Sequence, residues 1–227
     1  MPFLSGIKRR IKKIFVPEQA QEPVNDENYW ENRARRFGKH AVINLGHGKE
    51  NFEAVKRREE KEIFPLLRGL CDGREHVILD FGCGPGRFTT GLAALIQGRA
   101  VGVDPTAEFL KKTPKNKNTE FHVLENGRIP LPDRSVDIVW TFNVLGCVKN
   151  EDLAKTAAEF ERVLSDKGLL FFVENTTEKE NVACYTYRRV NDYISLFRNF
   201  GLQHVHDHFD KGPGFEERLS VIAGRKK

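Results

Sequence analysis

The sequence is poor in the residues that build covalent or metal frameworks. Its 227 residues include four cysteines, Cys71, Cys83, Cys147 and Cys184, and no two form a C-x-x-C pair. Neither a disulfide scaffold nor a zinc site is indicated, and a reducing, cytoplasmic setting is expected. No run of about 18 apolar residues occurs, so no segment reads as a membrane span. The amino terminus lacks the apolar block of a secretion signal, and internal repeats and low-complexity tracts are missing.

What remains is a folding composition. The chain is 39% hydrophobic and 30% charged, too apolar for a wholly disordered protein, and its length fits one sizeable domain. The net charge is +5, but much of it is local: Lys8, Arg9, Arg10, Lys12 and Lys13 put five cations in six positions. Phe3, Leu4, Ile7, Ile11, Ile14 and Phe15 recur at three-to-four-residue intervals among them. Residues 1–15 therefore read as a basic amphipathic helix, suited to peripheral contact with an anionic membrane at its inner face or with a protein partner. The alternative is a helix packed on the chain's own domain.

Residues 16–28, with two prolines and mostly polar side chains, read as a linker. Residues 29–70 carry helical signals interrupted by "NLGHG" at 44–48, and are expected to form a helical cap. From 71 onward strands and helices alternate. Strands are expected at 76–82, 99–104, 119–124, 135–142, 168–175, 202–209 and 218–226, and helices at 87–97, 106–112, 150–165 and near 188–200. Such alternation implies crossovers and an α/β fold: a doubly wound, mostly parallel seven-stranded sheet, Rossmann-like, with the last strand antiparallel and an amino-terminal helical appendage.

The chemistry concentrates after the first strand, in "DFGCGPGRF" (80–88). Gly82, Gly84 and Gly86 let the backbone turn tightly and expose N–H groups to a ligand. A dinucleotide-binding turn would need glycine or alanine at 87, where Arg87 stands. An acid, Asp80, precedes the glycines, and its charge disfavours a pyrophosphate and favours a nucleoside carrying positive charge.

These residues resemble the first motif of the class I S-adenosylmethionine-dependent methyltransferases. The resemblance continues through Asp104 in "VGVDPT", "LENGRIPLPDRSVDIVW" (124–140) and "RVLSDKGLLFFVEN" (162–175), and covers roughly residues 74–225. It implies S-adenosylmethionine as cofactor, with Asp80, Gly82, Cys83, Gly84 and Gly86 at the turn. Asp104 would lie at the ribose hydroxyls with Pro105 beside it, Glu125 and Asn126 near the adenine, and Thr141 near the methionine end. Tyr29 and Arg33 fall on a helix that closes over the cofactor in relatives. Asn143, Tyr187 and Arg188 are the candidates for the acceptor, and His47 and Glu174 those for a general base. Gly146 and Cys147 stand where many relatives carry a histidine.

"TFNVL" after the fourth strand differs from the N-P-P-Y type run of methyltransferases acting on nucleic-acid amines or glutamine, so nucleic acid is disfavoured. The acceptor is expected to be a small molecule or a sugar or glycan, methylated on oxygen or nitrogen. A non-catalytic cofactor-binding scaffold or sensor, and a nucleic-acid or protein methyltransferase, stay open as alternatives. His204, His206 and His208 alternate on one strand; positions four apart lie about 13 Å from each other, so they do not share one metal ion and read as a solvated face.

Overall fold

Strands that are apolar on both sides can be buried only in a sheet covered on both faces. The computed structural model describes residues 28–48, 52–114, 116–182 and 184–227, and it shows such a sheet. The basic segment 1–15 and the linker residues 16–27 lie outside the described residues.

The strands are β1 (Val77–Phe81), β2 (Arg99–Asp104), β3 (Thr119–Val123), β4 (Val136–Phe142), β5 (Leu164–Asn175), β6 (Gln203–Gly212) and β7 (Phe215–Arg225). They form one sheet in the order β3-β2-β1-β4-β5-β7-β6. The pairs β1–β2, β2–β3, β1–β4 and β4–β5 are parallel, and β7 runs antiparallel to both β5 and β6. The order reverses between β1 and β4, and in such sheets the crevice beyond the carboxyl ends of those strands is where a ligand sits. The helices are α1 (Tyr29–Phe37), α2 (Phe52–Leu70), α3 (Thr89–Leu95), α4 (Ala107–Leu110), α5 (Asn150–Val163) and α6 (Val190–Leu196). None among the described residues is long and apolar enough to cross a membrane.

The period of two along each strand divides the core in two. Leu79, Phe81, Val101, Val103, Val139, Leu170 and Phe172 face Phe160 and Val163 of α5 and Tyr193 of α6. Ile78, Ala100, Ile138, Trp140, Leu169, Phe171 and Val173 face Leu92 and Ala93 of α3 and Ile63 and Leu67 of α2. α2 therefore forms part of the second layer and is more than a cap. Its buried positions Phe52, Val55, Glu59, Ile63 and Leu67 recur every three or four residues, which turns one stripe to the sheet. α5 shows the same logic, with Leu153, Thr156, Phe160 and Val163 buried, Glu151 and Asp152 in its first turn and Arg162 in its last, where each charge complements the helix dipole.

β5 begins four residues before the glycine at which the sequence places its start. Val136 pairs with Leu164 and Ile138 with Leu169, so residues between them bulge, with Lys167 in the left-handed region at φ 61°. Asp137, near the start of β4, accepts from the N–H groups of His76 and Val77 at 2.9 and 3.0 Å and so sets β1 beside β4. The three histidines of β6 do not stand in one row, because a register shift separates His204 from His206. His206 and His208 both contact Glu62 of α2, at 3.3 and 2.8 Å, and His204 contacts Asp207 at 2.8 Å.

In the second layer Trp140 and Phe171, on neighbouring strands, stack with ring centroids 5.2 Å apart and planes 6° apart. Phe171→Ala would leave a cavity under Trp140 and is expected to cost about 3–5 kcal/mol in urea unfolding, with the denaturant dependence of the transition unchanged.

Candidate functional site

Parallel strands deliver their carboxyl ends to one edge, and that edge carries two joined hollows. The inner pocket, a cavity of about 200 Å³, is lined by Phe81, Gly82, Asp104, Pro105, Thr106, Phe109 and Leu124 on one side and by Phe142, Asn143, Val144, Cys147 and Val148 on the other. Trp30 of α1 and Val42 close it from above. The outer cleft runs from there over Asn175, Cys184, Tyr185, Tyr187 and Leu219 to Asp210 and Glu217, with Tyr29, Arg33, Glu59 and Arg87 also in its wall. Trp30, Val42, Phe142, Asn143 and Cys147 line both.

The glycine turn is fixed to β2 by a buried carboxylate. Asp104 accepts from Gly84 N–H through one oxygen and from Thr106 N–H through the other, both at 2.8 Å. Gly82, Gly84 and Gly86 have φ of 72°, 53° and 78°, a region that side chains with a Cβ rarely occupy. They do different work. A Cβ on Gly82 would lie 2.4 Å from Val144, and one on Gly84 2.9 Å from Val42, so these two admit the loops that roof the pocket. Gly86 faces Pro114 and Phe121 instead and serves packing against β3.

Asp80, one strand over, is buried and accepts from Thr89 Oγ1 at 2.6 Å. Burial pushes its carboxyl up to about 7; the Thr89 hydroxyl opposes that shift and the neighbouring charge of Asp104 adds to it. The inner pocket thus has an apolar body between Phe109, Leu124 and Phe142, with a carboxylate at the end of β2 and bare turn backbone at its floor. This fits an adenosine, whose ribose hydroxyls can donate to the lone pairs that Asp104 retains, and a cationic end near Asp80.

Several expected residues hold other positions. Glu125 and Asn126 are exposed and the pocket wall there is Leu124, the residue before them. Thr141 is fully buried within β4 and lines neither hollow. Cys83 borders a narrow crevice with Asp80, Gly82 and Arg87. Tyr29, Arg33, Asn143 and Tyr187 line the outer cleft, whereas Arg188 turns away from it. Its guanidinium donates to the carbonyls of Leu145 and Val148, at 3.0 and 3.2 Å, and to Asn150 Oδ1 at 2.6 Å, which makes it a brace of the loop after β4.

Neither residue proposed as a base is placed as one. Glu174 has no exposure, and its carboxylate accepts from the N–H groups of Val144, Leu145 and Gly146, at 2.9, 2.8 and 3.1 Å, and from Tyr185 Oη at 2.9 Å. Burial raises its pKa, and the backbone donors of Leu145 and Val144, the Tyr185 hydroxyl and the Gly146 donor work against that. A carboxylate enclosed in this way is a positioning group for the 144–146 turn. His47 is 4% exposed, sits with Nε2 3.0 Å from Asp210 Oδ1 and turns its ring edge to Phe215, among residues of the β6–β7 hairpin. It lines neither hollow. Residues the sequence did not announce include Val42, Phe109, Val144, Asn175, Asp210 and Glu217. The first gives no signal in the sequence and ends a 3-10 helix, Gly38–Val42, and the last two read as ordinary hairpin polars.

Two outcomes test this arrangement. Asp104→Ala removes the anchor of the turn together with the ribose acceptor, and should weaken S-adenosylhomocysteine binding in calorimetry roughly 10- to 100-fold. Asp80 binds a proton more tightly folded than unfolded, so its contribution to stability is complete below about pH 4 and is lost as pH rises toward about 7. The gap in Tm between wild type and Asp80→Asn, followed from pH 5 to pH 8, should move against the wild type; a constant gap would contradict the raised pKa.

Residues 79–172 match a family model described as a methyltransferase domain. The chain is 28% identical over 199 residues to "Probable methyltransferase ltbC" of Aspergillus luteorubrus, covering 79% of this chain and 67% of that one. It is 27% identical over 211 residues to "Phosphoethanolamine N-methyltransferase 3" of Arabidopsis thaliana, covering 87% of this chain, and it spans 39% of the length of that relative. Among solved structures, a protein from Thermotoga maritima described as a S-adenosylmethionine-dependent methyltransferase and possible histamine N-methyltransferase superposes with a TM-score of 0.62 at 17% identity, over 87% of this chain and 98% of that one, which is a likeness of fold. With the acid-led glycine turn, the second buried acid at the end of β2 and the sheet order 3-2-1-4-5-7-6, residues 79–172 carry a methyltransferase domain, and the chain is similar in fold and motifs to the class I S-adenosylmethionine-dependent methyltransferases.

Proposed function

We propose that this chain transfers a methyl group from S-adenosylmethionine to a small molecule seated in the outer cleft. One observation carries the reading: the inner pocket and the cleft share the wall made by Trp30, Val42, Phe142, Asn143 and Cys147, so that a cofactor in one and an acceptor in the other meet across it. S-adenosylmethionine supplies an already activated, electrophilic methyl. The protein's part is then to align the acceptor with that methyl and to keep water away, and alignment alone can supply several kcal/mol.

The shared wall suits this work. Trp30, Val42 and Phe142 are apolar, and Phe142 stands between Trp140 and Arg87, with ring centroids 6.2 Å from Trp140 and the Arg87 guanidinium carbon 5.4 Å from its ring. Asn143 and Cys147 are held from behind, Asn143 by Asn175 and the Cys147 turn by Glu174. The cleft is a bounded hollow crossed by α1 and α2, a shape for a compact acceptor more than for a duplex or a folded protein. The plant relative is named for a small molecule, phosphoethanolamine.

The test is transfer of tritiated methyl from S-adenosylmethionine into extract of the encoding organism, separated into small molecules, protein and nucleic acid. Label in the small-molecule fraction is expected. Label confined to protein or nucleic acid would overturn the acceptor class, and no label in any fraction despite cofactor binding would favour a scaffold or sensor.

A further inference from the structure

Resting on that reading, we propose that the acceptor atom is one oxygen of a carboxylate whose other oxygen is held by the side-chain amide of Asn143, and that the product is a methyl ester. The first support is the orientation of Asn143. Its φ is 58°, a conformation that non-glycine residues adopt at a cost, and its own N–H donates to Val173 O at 2.7 Å. Its Oδ1 accepts from Asn175 N–H at 3.0 Å and lies 3.1 Å from Tyr185 Oη. Turning the amide over would set an NH2 against the Asn175 N–H, so the oxygen faces inward and the NH2 is left for the hollows that Asn143 lines. An aimed NH2 is a donor, and it seeks an atom with lone pairs.

The second support is what the reacting wall holds. Among the described residues, its five members include no carboxylate, histidine or amine, and its one titratable group, the Cys147 thiol, is pushed well above its ordinary value by burial, with the charges of Cys184 and Glu174 adding to the shift. Glu174 behind it is enclosed by four donors. An alkyl amine, with a pKa near 10, must shed a proton before it can attack, and an alcohol must do so during attack. A carboxylic acid, with a pKa near 4, arrives as the anion and needs no base.

The third support is charge. Two guanidiniums flank the wall: Arg33 Cζ is 5.9 Å from the Trp30 ring and Arg87 Cζ 5.4 Å from the Phe142 ring. Glu59 is ion-paired to Arg87, whose buried Nε–H has no partner among the described residues. The remaining acids of the cleft, Asp210 and Glu217, face each other across the β6–β7 hairpin, and β6 is three strands from β4. They contact His47 at 3.0 Å and Lys179 at 2.8 Å. Arg87 is shared with Glu59 and lies within reach of the Asp210 charge, so Arg33, over the Trp30 ring, is the cation beside the wall that attracts an anion.

The step balances without a proton. One carboxylate oxygen forms the new O–CH3 bond as the S–CH3 bond breaks, the pair of electrons staying on sulfur; the other oxygen accepts from Asn143 Nδ2. The sulfonium charge and the carboxylate charge disappear together.

The experiment treats the small-molecule fraction from the tritiated-methyl reaction with alkali. A methyl ester releases its label as volatile methanol, whereas N-methyl, C-methyl and ether O-methyl groups keep it. Alkali-labile, volatile label is expected. Stable label in a small molecule would overturn the carboxylate while leaving the methyltransferase reading standing; no label in any small molecule would mean that reading had failed first. Asn143→Asp separates the role of the amide, because it keeps an oxygen for Asn175 and replaces the donor by a negative charge. Transfer into the alkali-labile product should fall more than tenfold, by a larger factor than any loss of S-adenosylhomocysteine affinity in calorimetry, because Asn143 borders the cofactor pocket as well. Transfer as fast as wild type, or an equal loss of S-adenosylhomocysteine binding, would overturn the assignment to Asn143.

Discussion

The carboxylate of Glu174, shut off from solvent and facing three successive N–H groups, is the contact on which both hollows depend. A buried charge is costly unless it is fully hydrogen-bonded, and the turn Val144–Gly146 provides what is needed because its N–H groups have no strand to join. Tyr185 completes the set and packs so tightly that a Cβ on Gly146 would lie 2.1 Å from its ring. Since Val144 also covers Gly82, one acid at the end of β5 fixes the roof of the turn after β1, two strands away. The same tyrosine reaches Asn143 and Asn175, so the orientation of the reacting wall follows from the same cluster.

A second acid pair works on the other side of the switch point. Asp104 ties Gly84 and Thr106 together, and Asp80 lies behind the turn with Thr89. Burial raises the pKa of both carboxyls, and the charge of Asp104 adds to the shift of Asp80, which is a standing cost in the free protein. A ligand with hydroxyls and a positive charge relieves it. The destabilisation is local and sits where binding can remove it, a common trade at sites where function and stability compete.

How far this was legible in the sequence depends on the range of the contacts involved. All seven strands and the helices from 87 onward fall close to where period and turn residues place them, because each is decided by its own side chains and by burial on one or two faces. The glycine turn was legible for the same reason, since Asp80, the glycines and Asp104 lie within 25 residues and act through local backbone, whereas Glu125, Asn126, Thr141, Tyr29 and Arg33 do not line the inner pocket. The acceptor side was not. Glu174 at a strand end looks like an available base, and only the return of the 144–146 turn onto it shows otherwise. His47 between two glycines looks like a loop residue at an active site, and only the β6–β7 hairpin, more than 160 positions on, removes it to Asp210. Arg188 reads as an anion-binding cation until the carbonyls of Leu145 and Val148 claim it. In each case one long-range partner decided the role.

Arg87 joins the two sides. Its place in the sequence disfavoured a dinucleotide turn, in which a third glycine at that position lets the helix pack closely on the strand. In the structure its guanidinium donates to Val42 O at 3.2 Å and pairs with Glu59 of α2, so the turn that floors one pocket also carries the loop and helix that wall the other. A buried pair of this kind adds little net stability, because desolvation consumes most of the attraction. Its consequence is geometric. Two planar, directional groups hold Val42 over Gly84 and α2 against the turn, and breaking either would leave an unpaired charge in the core. The walls of the two hollows are therefore joined through one ion pair, which would hold a cofactor in one and an acceptor in the other in register for in-line transfer.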